Sequence, residues 1–270
     1  MIFYRVVVIL LVVFFTVYAD ENSTDIDIKT HECNENSNGA ACYELGQYYS
    51  KSDEYNSTNN MFYFYEKGCA KKHDESCIKE IDLIRKDYKK ASSFYKIQCN
   101  KVPYKKRGYL FEFKCVPDMY ALKFENVGDI YYAKKEYELA YKNYTTAGGY
   151  VNPEAIYKAS LMELNGQGVE RNITVAGRYY LYYIGKSIEK AKFHFPKELE
   201  SGRKDGIIKI GFRLMPDGSL ENIHLVESSK DDQIDQAVMN NMSSLPKLHP
   251  IPKEFKKEYI EITIPISVRF

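Results

Sequence analysis

The sequence predicts an α+β protein of two domains, an α-helical hairpin repeat solenoid followed by a small strand-strand-helix-strand module. Three observations carry that prediction. Apolar and small residues recur at helical spacing, in related blocks, from about residue 33 to residue 190. From Gly206 the period switches to two, with Ile208, Ile210, Phe212 and Leu214 on one face. Pro216-Asp217-Gly218 then interrupts the alternation at the point where a hairpin must turn.

The chain opens MIFYRVVVILLVVFFTVYADEN: one arginine, an apolar run, then Val17-Tyr18-Ala19 before acidic residues. This is the layout of a secretory signal peptide over residues 1–19, with cleavage after Ala19. The run is short for a membrane span, which takes roughly 20 residues. A retained anchor is the alternative, and no other segment has the apolar length to cross a bilayer. Residues 20–32 are polar and are expected to form a disordered tail. The 270 residues carry 38 Lys and Arg against 37 Asp and Glu, with no basic stripe, which argues against a nucleic-acid partner. There are 25 tyrosines and no tryptophan, a usage that suits helix packing with ring buried and hydroxyl wet.

Six cysteines, Cys33, Cys42, Cys69, Cys77, Cys99 and Cys115, point in an exported chain to disulfides. Fifteen connectivities are possible for six cysteines; sequential pairing is expected if each pair joins two consecutive helices. No Cys-x-x-Cys occurs and the histidines lack zinc spacing, so neither a metal site nor a cofactor site is expected.

The clearest repeat unit is Pro153 to Ser187. Pro153 suits a first helical turn, Ala155, Ala159 and Met162 share a face, and Gly166 and Gly168 break the helix. A second helix follows, with Ala176, Tyr180 and Tyr183 on one side. Related units run from Ala40 to Cys69 and from Ala121 to Gly148, with a degenerate copy between them. Ala41 and Ala155 lie three periods of about 38 residues apart. Such hairpins cannot bury their apolar faces alone and must stack. Residues 191–205 break both periodicities and serve as the linker. In the terminal module, residues 206–270, the second strand alternates imperfectly through Leu220, Ile223, Leu225 and Glu227. A helix follows on Ile234, Val238, Met242 and Leu245, and a final strand on Ile260, Ile262, Ile264, Ile266 and Val268.

The terminal module resembles the C-terminal domain of the TonB family. The resemblance rests on Gly206, the Pro216-Asp217-Gly218 turn, Ser228-Ser229, Ile234-Asp235-Gln236-Ala237, the LPKLHPIP crossing and the closing IPISVRF. Lys230 departs from it, because the family usually has glycine after the paired serines. The repeats resemble Sel-one-like arrays of the tetratricopeptide-related type. Cys69 and Cys77 have the eight-residue offset of the cysteine-rich exported members, which link the end of one repeat to the start of the next. Cys99 and Cys115 span an insertion, VPYKKRGYLFEFK, read as a protruding loop.

No catalytic constellation is expected. Ser93-x-x-Lys96 and Ser187-x-x-Lys190 match the serine–lysine pair of penicillin-recognising enzymes, but the accompanying Ser-Asp-Asn and Lys-Thr-Gly elements are absent. Gly185-Lys186-Ser187 lacks the upstream glycine of a phosphate loop. His31, His73, His194, His224 and His249 read as polar surface residues. Asp231, Asp232 and Asp235 complement a helix N-terminus. Asn22, Asn56 and Asn172 lie in Asn-x-Thr with an acid two positions earlier, which resembles the extended sequon of bacterial oligosaccharyltransferases. Asn143 and Asn241 fit only the short sequon.

These readings predict a non-enzymatic periplasmic protein of a Gram-negative envelope that binds a protein or peptide, with peptidoglycan a further partner class. Membrane attachment is expected only if the leader is retained, which would give an inner-membrane anchor. The TonB resemblance implies that the strand Tyr259 to Phe270 receives a partner strand, along the edge positions Tyr259, Glu261, Thr263 and Ser267. Energy transduction is the first alternative, although repeats stand where a proline-rich stalk belongs. A cell-wall or β-lactam hydrolase is the second.

Overall fold

A computed structural model describes residues 25–35, 38–52, 57–100, 111–191, 193–195 and 206–268, without the side chains of 111–114. The chain divides after Ile130 into two compact units. Among the described residues both are built on helical hairpins, and the second ends in a three-stranded antiparallel sheet with one helix. The α+β prediction is met. The leader, with Ala19, lies outside the described residues.

The first unit holds α1 (25–34), α2 (Gly39–Lys51), α3 (Ser57–Ala70), α4 (Asp74–Lys86), α5 (Tyr88–Asn100) and most of α6 (Phe111–Ala133). Helix α1 corrects the expected disordered tail. Its polar sequence is held down by the Cys33–Cys42 bridge and by Lys29, which pairs with Asp25 and, across the hairpin, with Glu44. Asn38 caps α2 by accepting from the Ala40 and Ala41 N–H groups. The cysteines pair sequentially, with Cα separations of 4.8 Å (Cys33–Cys42), 4.5 Å (Cys69–Cys77) and 6.1 Å (Cys99–Cys115). Each bridge ties the end of one helix to the start of the next. The insertion after Cys99 is helical from Phe111, not a loop throughout; residues 101–110 are outside the description. Close helix approach comes from small residues, as at Gly46, where a Cβ would meet the Tyr65 ring at 2.6 Å.

In the second unit come α7 (Tyr137–Gly149), α8 (Pro153–Asn165) and α9 (Ile173–Lys190). Asn152 caps α8, Pro153 fills its first turn, Gly166 ends it at φ 64°, and Asn172 caps α9. Ala155, Ala159, Met162, Ala176, Tyr180 and Tyr183 are all buried, as their spacing requires. Then follow β1 (Gly206–Leu214), β2 (Leu220–Glu227), α10 (Asp232–Ser243) and β3 (Ile260–Val268). The sheet order is β2-β1-β3.

At the β1–β2 turn Gly218 has φ 85°, and a Cβ there would run into the Leu248 carbonyl. The Leu248 and Ile251 N–H groups donate to the Gly218 and Pro216 carbonyls, so the proline-rich crossing is built on this turn. Register shifts after Lys209 and Gly211 explain why β2 alternates imperfectly: Leu225 is exposed rather than part of the core. One face of the sheet, Ile208, Ile210, Phe212 and Leu214, packs against Ile234, Val238 and Met242 of α10. The same core takes in Tyr180, Tyr183, Ile184 and Ile188 of α9. Linker residues 191–205 thus separate the helical and terminal segments in sequence, while the hydrophobic core runs across them.

Candidate partner-binding groove

Strand β3 ends the described sheet on one side, paired only with β1. Its inner residues Ile264 and Ile266 pack on the core, while Glu261, Thr263, Pro265 and Ser267 are exposed. A proline is tolerated in an edge strand with its nitrogen turned from the neighbour. The outward backbone positions are therefore Glu261, Thr263, Pro265 and Ser267, and three of them carry an N–H. Tyr259 lies just before the strand. Arg213 of β1 sits 4.7 Å from its ring centroid and donates to Glu261 Oε1 at 3.0 Å, which fixes both on the open face.

Beside this edge runs a groove of about 720 Å³. One wall is Ile264–Val268. The other comes from α9, with Leu181, Tyr182 and Gly185, and from the short strap 193–195, with Phe193 and Phe195. Leu181 and Tyr182 are 49% and 44% exposed, large apolar surface left open beside the buried stripe Tyr180, Tyr183, Ile184 and Ile188. Gly185 deepens the groove, since a Cβ there would meet nothing within 4 Å. Lys186 lies at the rim, 2.5 Å from Glu189 and 5.6 Å from the Tyr182 ring centroid.

Two clamps position these walls. The Asn241 carboxamide grips the strap, accepting from the His194 N–H at 2.7 Å and donating to the His194 carbonyl at 2.8 Å. His249, in the proline-rich crossing, binds α8 and α9 through four contacts. Its N–H donates to the Tyr183 hydroxyl at 2.8 Å, its carbonyl accepts from the Tyr180 hydroxyl at 2.9 Å, its Nε2 lies 2.8 Å from Glu154 Oε2, and its ring stacks on Tyr157 at 3.9 Å. A carboxylate only accepts, so Nε2 carries the proton. Burial pushes the Tyr180 and Tyr183 hydroxyls up, which keeps both neutral, Tyr180 as donor and Tyr183 as acceptor.

Asp235 holds the turn before α10. It accepts from the Ser228 hydroxyl (2.6 Å), the Ser229 hydroxyl (2.6 Å) and the Ser229 N–H (2.9 Å). Burial alone would raise its carboxyl, but these bonds outweigh it and hold it below the ordinary aspartate range. Asp231, not Asp235, is the helix cap. Lys230 stands between Ser229 and Asp231 at φ 71°, which explains why glycine suits that position.

The remaining sequence candidates fall elsewhere. Ser93 is exposed and donates to the Lys89 carbonyl of its own helix; Ser187 contacts Tyr183. His73 caps α4 through the Ser76 N–H, and the His224 ring lies over Gly211. Asn172 is exposed, whereas Asn143 is buried and donates to Leu139, and both Asn241 N–H groups are engaged. Asn22 and Asn56 lie outside the described residues. Among the described residues no group of three or more His, Cys, Asp or Glu could hold a metal, and no helix is long and apolar enough to cross a membrane.

The sequence reading located β3 and the helix that is α9, but missed that α9 and the strap form the opposite wall, and missed both clamps. A signal was present: Leu181 and Tyr182 fall outside the stripe Ala176, Tyr180, Tyr183, and the Phe-His-Phe triplet is apolar for a linker. A comparison with curated proteins finds no match. One family model matches, that of the Gram-negative bacterial TonB protein C-terminal, over residues 191–270. Strap, crossing and edge strand thus lie within the stretch that matches this model, and α9, the opposite wall of the groove, lies outside it.

Proposed function

We propose that this is a non-enzymatic envelope protein that binds an extended segment of a protein partner, added as a strand to β3 in the groove against α9. The open edge beside an apolar wall carries this reading. Main-chain bonds from Glu261, Thr263 and Ser267 supply attachment, and alternate apolar side chains of the partner fill the space lined by Leu181, Tyr182, Phe193 and Phe195. The interruption at Pro265 places more of the affinity on those side chains. The matched family is one of envelope proteins without enzymatic activity. Ser93 donates to the Lys89 carbonyl of its own helix and Ser187 bonds to Tyr183, which supports a binding role over a hydrolase.

In this reading residues 33–190 are a Sel-one-like array that gives a second binding surface, residues 206–270 are the strand acceptor, and residues 1–19 direct export to the periplasm. Asn172, exposed at the start of α9, is the described candidate for glycosylation. The array stands where a transducer carries its stalk, which favours a scaffold over energy transduction.

The test places a photo-crosslinking amino acid at Thr263, at Ser267 or at the distant exposed Glu170 of the full-length protein in its native cells. Adducts at Thr263 and Ser267 that disappear when Gly185→Leu fills the groove are the expected result. Adducts that form equally from Glu170, or that survive Gly185→Leu, would sink the reading.

A further inference from the structure

The three disulfides are not equivalent. Asn126, an exposed residue of α6, directs its side-chain amide at both sulfurs of Cys69–Cys77, 3.4 Å from Cys69 Sγ and 3.3 Å from Cys77 Sγ. No other described bridge has an amide donor on its sulfurs. Cys69 is half-buried, while Cys77 is closed off at 1% exposure. Cys77 also stands in the first turn of α4, where the positive end of the helix dipole favours a thiolate, although Asp74 and Glu75 in the same turn oppose it.

We propose that Cys69–Cys77 is a site of thiol–disulfide exchange, open to a dithiol reductant at Cys69, with Cys77 as the leaving thiolate and Asn126 as its stabilising donor. A thiolate of the reductant attacks Cys69 Sγ and forms a mixed disulfide. The Cys69–Cys77 bond breaks, and its electron pair goes to Cys77 Sγ, which accepts the Asn126 N–H and later takes a proton from solvent. The second thiol of the reductant, as its thiolate, then attacks the reductant's own sulfur in the mixed disulfide and releases Cys69 as a thiolate, which is also protonated. The protein gains two electrons and two protons, and the reductant leaves as its disulfide.

Accessibility and leaving-group stability agree only at this bridge. In Cys33–Cys42 both residues are wholly buried, so no sulfur is open to attack. In Cys99–Cys115 the accessible residue is Cys115, and attack there expels Cys99. Cys99 is the next-to-last residue of α5, where the carbonyl end disfavours negative charge, and its sulfur faces the Met119 thioether at 3.8 Å. Exchange is faster when the leaving thiolate is the more stable one.

The experiment exposes the oxidised full-length protein to dithiothreitol at neutral pH and quenches aliquots with N-ethylmaleimide. Mass spectrometry of the digested protein then gives the rate for each pair. Cys69 and Cys77 are expected to be labelled first, and Asn126→Leu to slow that pair about tenfold, the loss of one charge-assisted hydrogen bond in the transition state. The other two rates should stay unchanged. A parallel reaction with cysteamine, a monothiol, should place the mixed disulfide on Cys69 and the free thiol on Cys77. Earlier opening of either other pair, an adduct on Cys77, or an unaltered rate in Asn126→Leu would overturn the assignment. Acceleration of all three pairs in the variant would show that Asn126 acts on folding and would overturn its role as donor.

Discussion

Removing the Asp235 carboxylate should unfasten the β2–α10 corner of the terminal domain. The side chain accepts three bonds, two from hydroxyls at 2.6 Å and one from the Ser229 N–H at 2.9 Å. A hydrogen bond to a charged group contributes about 1.5–3 kcal/mol net. Ser228 is exposed and Ser229 half-buried, so water replaces part of what is lost. For Asp235→Ala the sum is about 3 kcal/mol, a fall of roughly 10 °C in Tm at about 2–4 °C per kcal/mol. Asp235→Asn keeps one acceptor oxygen and should fall between. Asp232→Ala, exposed on the same turn, should stay within about 0.5 kcal/mol. Thermal melts by circular dichroism, with hydrogen exchange read at β2 and α10, measure all three. Because the folded carboxyl lies below its unfolded range, its stabilisation is present above about pH 4 and is lost as pH falls through the folded value. The gap between parent and Asp235→Ala should therefore close in acid. An Asp235→Ala melt that matches Asp232→Ala, or a gap that does not narrow as pH falls below about 4, would refute the reasoning.

Three further perturbations follow from the same geometry. Lys230→Gly relieves a side chain held at φ 71° and should raise stability by about 0.5 kcal/mol, the Cβ strain less the added chain entropy of glycine; a loss in urea titration would contradict it. Gly177→Ala, inside α9 with nothing within 4 Å of the new methyl, should gain about 1 kcal/mol by helix propensity, read from the same titration. His249→Ala removes the Tyr157 stack and the Glu154 contact but keeps both main-chain bonds to the tyrosines, at a cost of about 1–2 kcal/mol. Its mark should be faster hydrogen exchange in α8 and α9, and uniform protection would count against the clamp.

The strongest local signals in the sequence survived folding unchanged. Period-two alternation at Ile208 to Leu214, the glycine at the β1–β2 turn and the small-residue stripe Ala155, Ala159, Ala176 each act within one element or one hairpin, so spacing alone reveals them. Sequential cysteine pairing was legible for the same reason: each bridge spans one helix junction. The sequence also marked β3 as a strand with an exposed set of alternate residues. What it could not show was the surface that β3 faces. The groove exists because Tyr180, Tyr183 and His249, as many as 69 residues apart, meet across the linker and hold α9 against the sheet. Asn241 draws the Phe193–Phe195 strap into the same wall from 47 residues away. Asp235 looked like a helix-start acid and proved to be the fastener of the preceding turn, while α1 looked disordered and is held by a bridge and a lysine. Each of these depends on groups brought together through tertiary packing, and a one-dimensional pattern records periodicity along the chain, not which distant surface fills the space beside it.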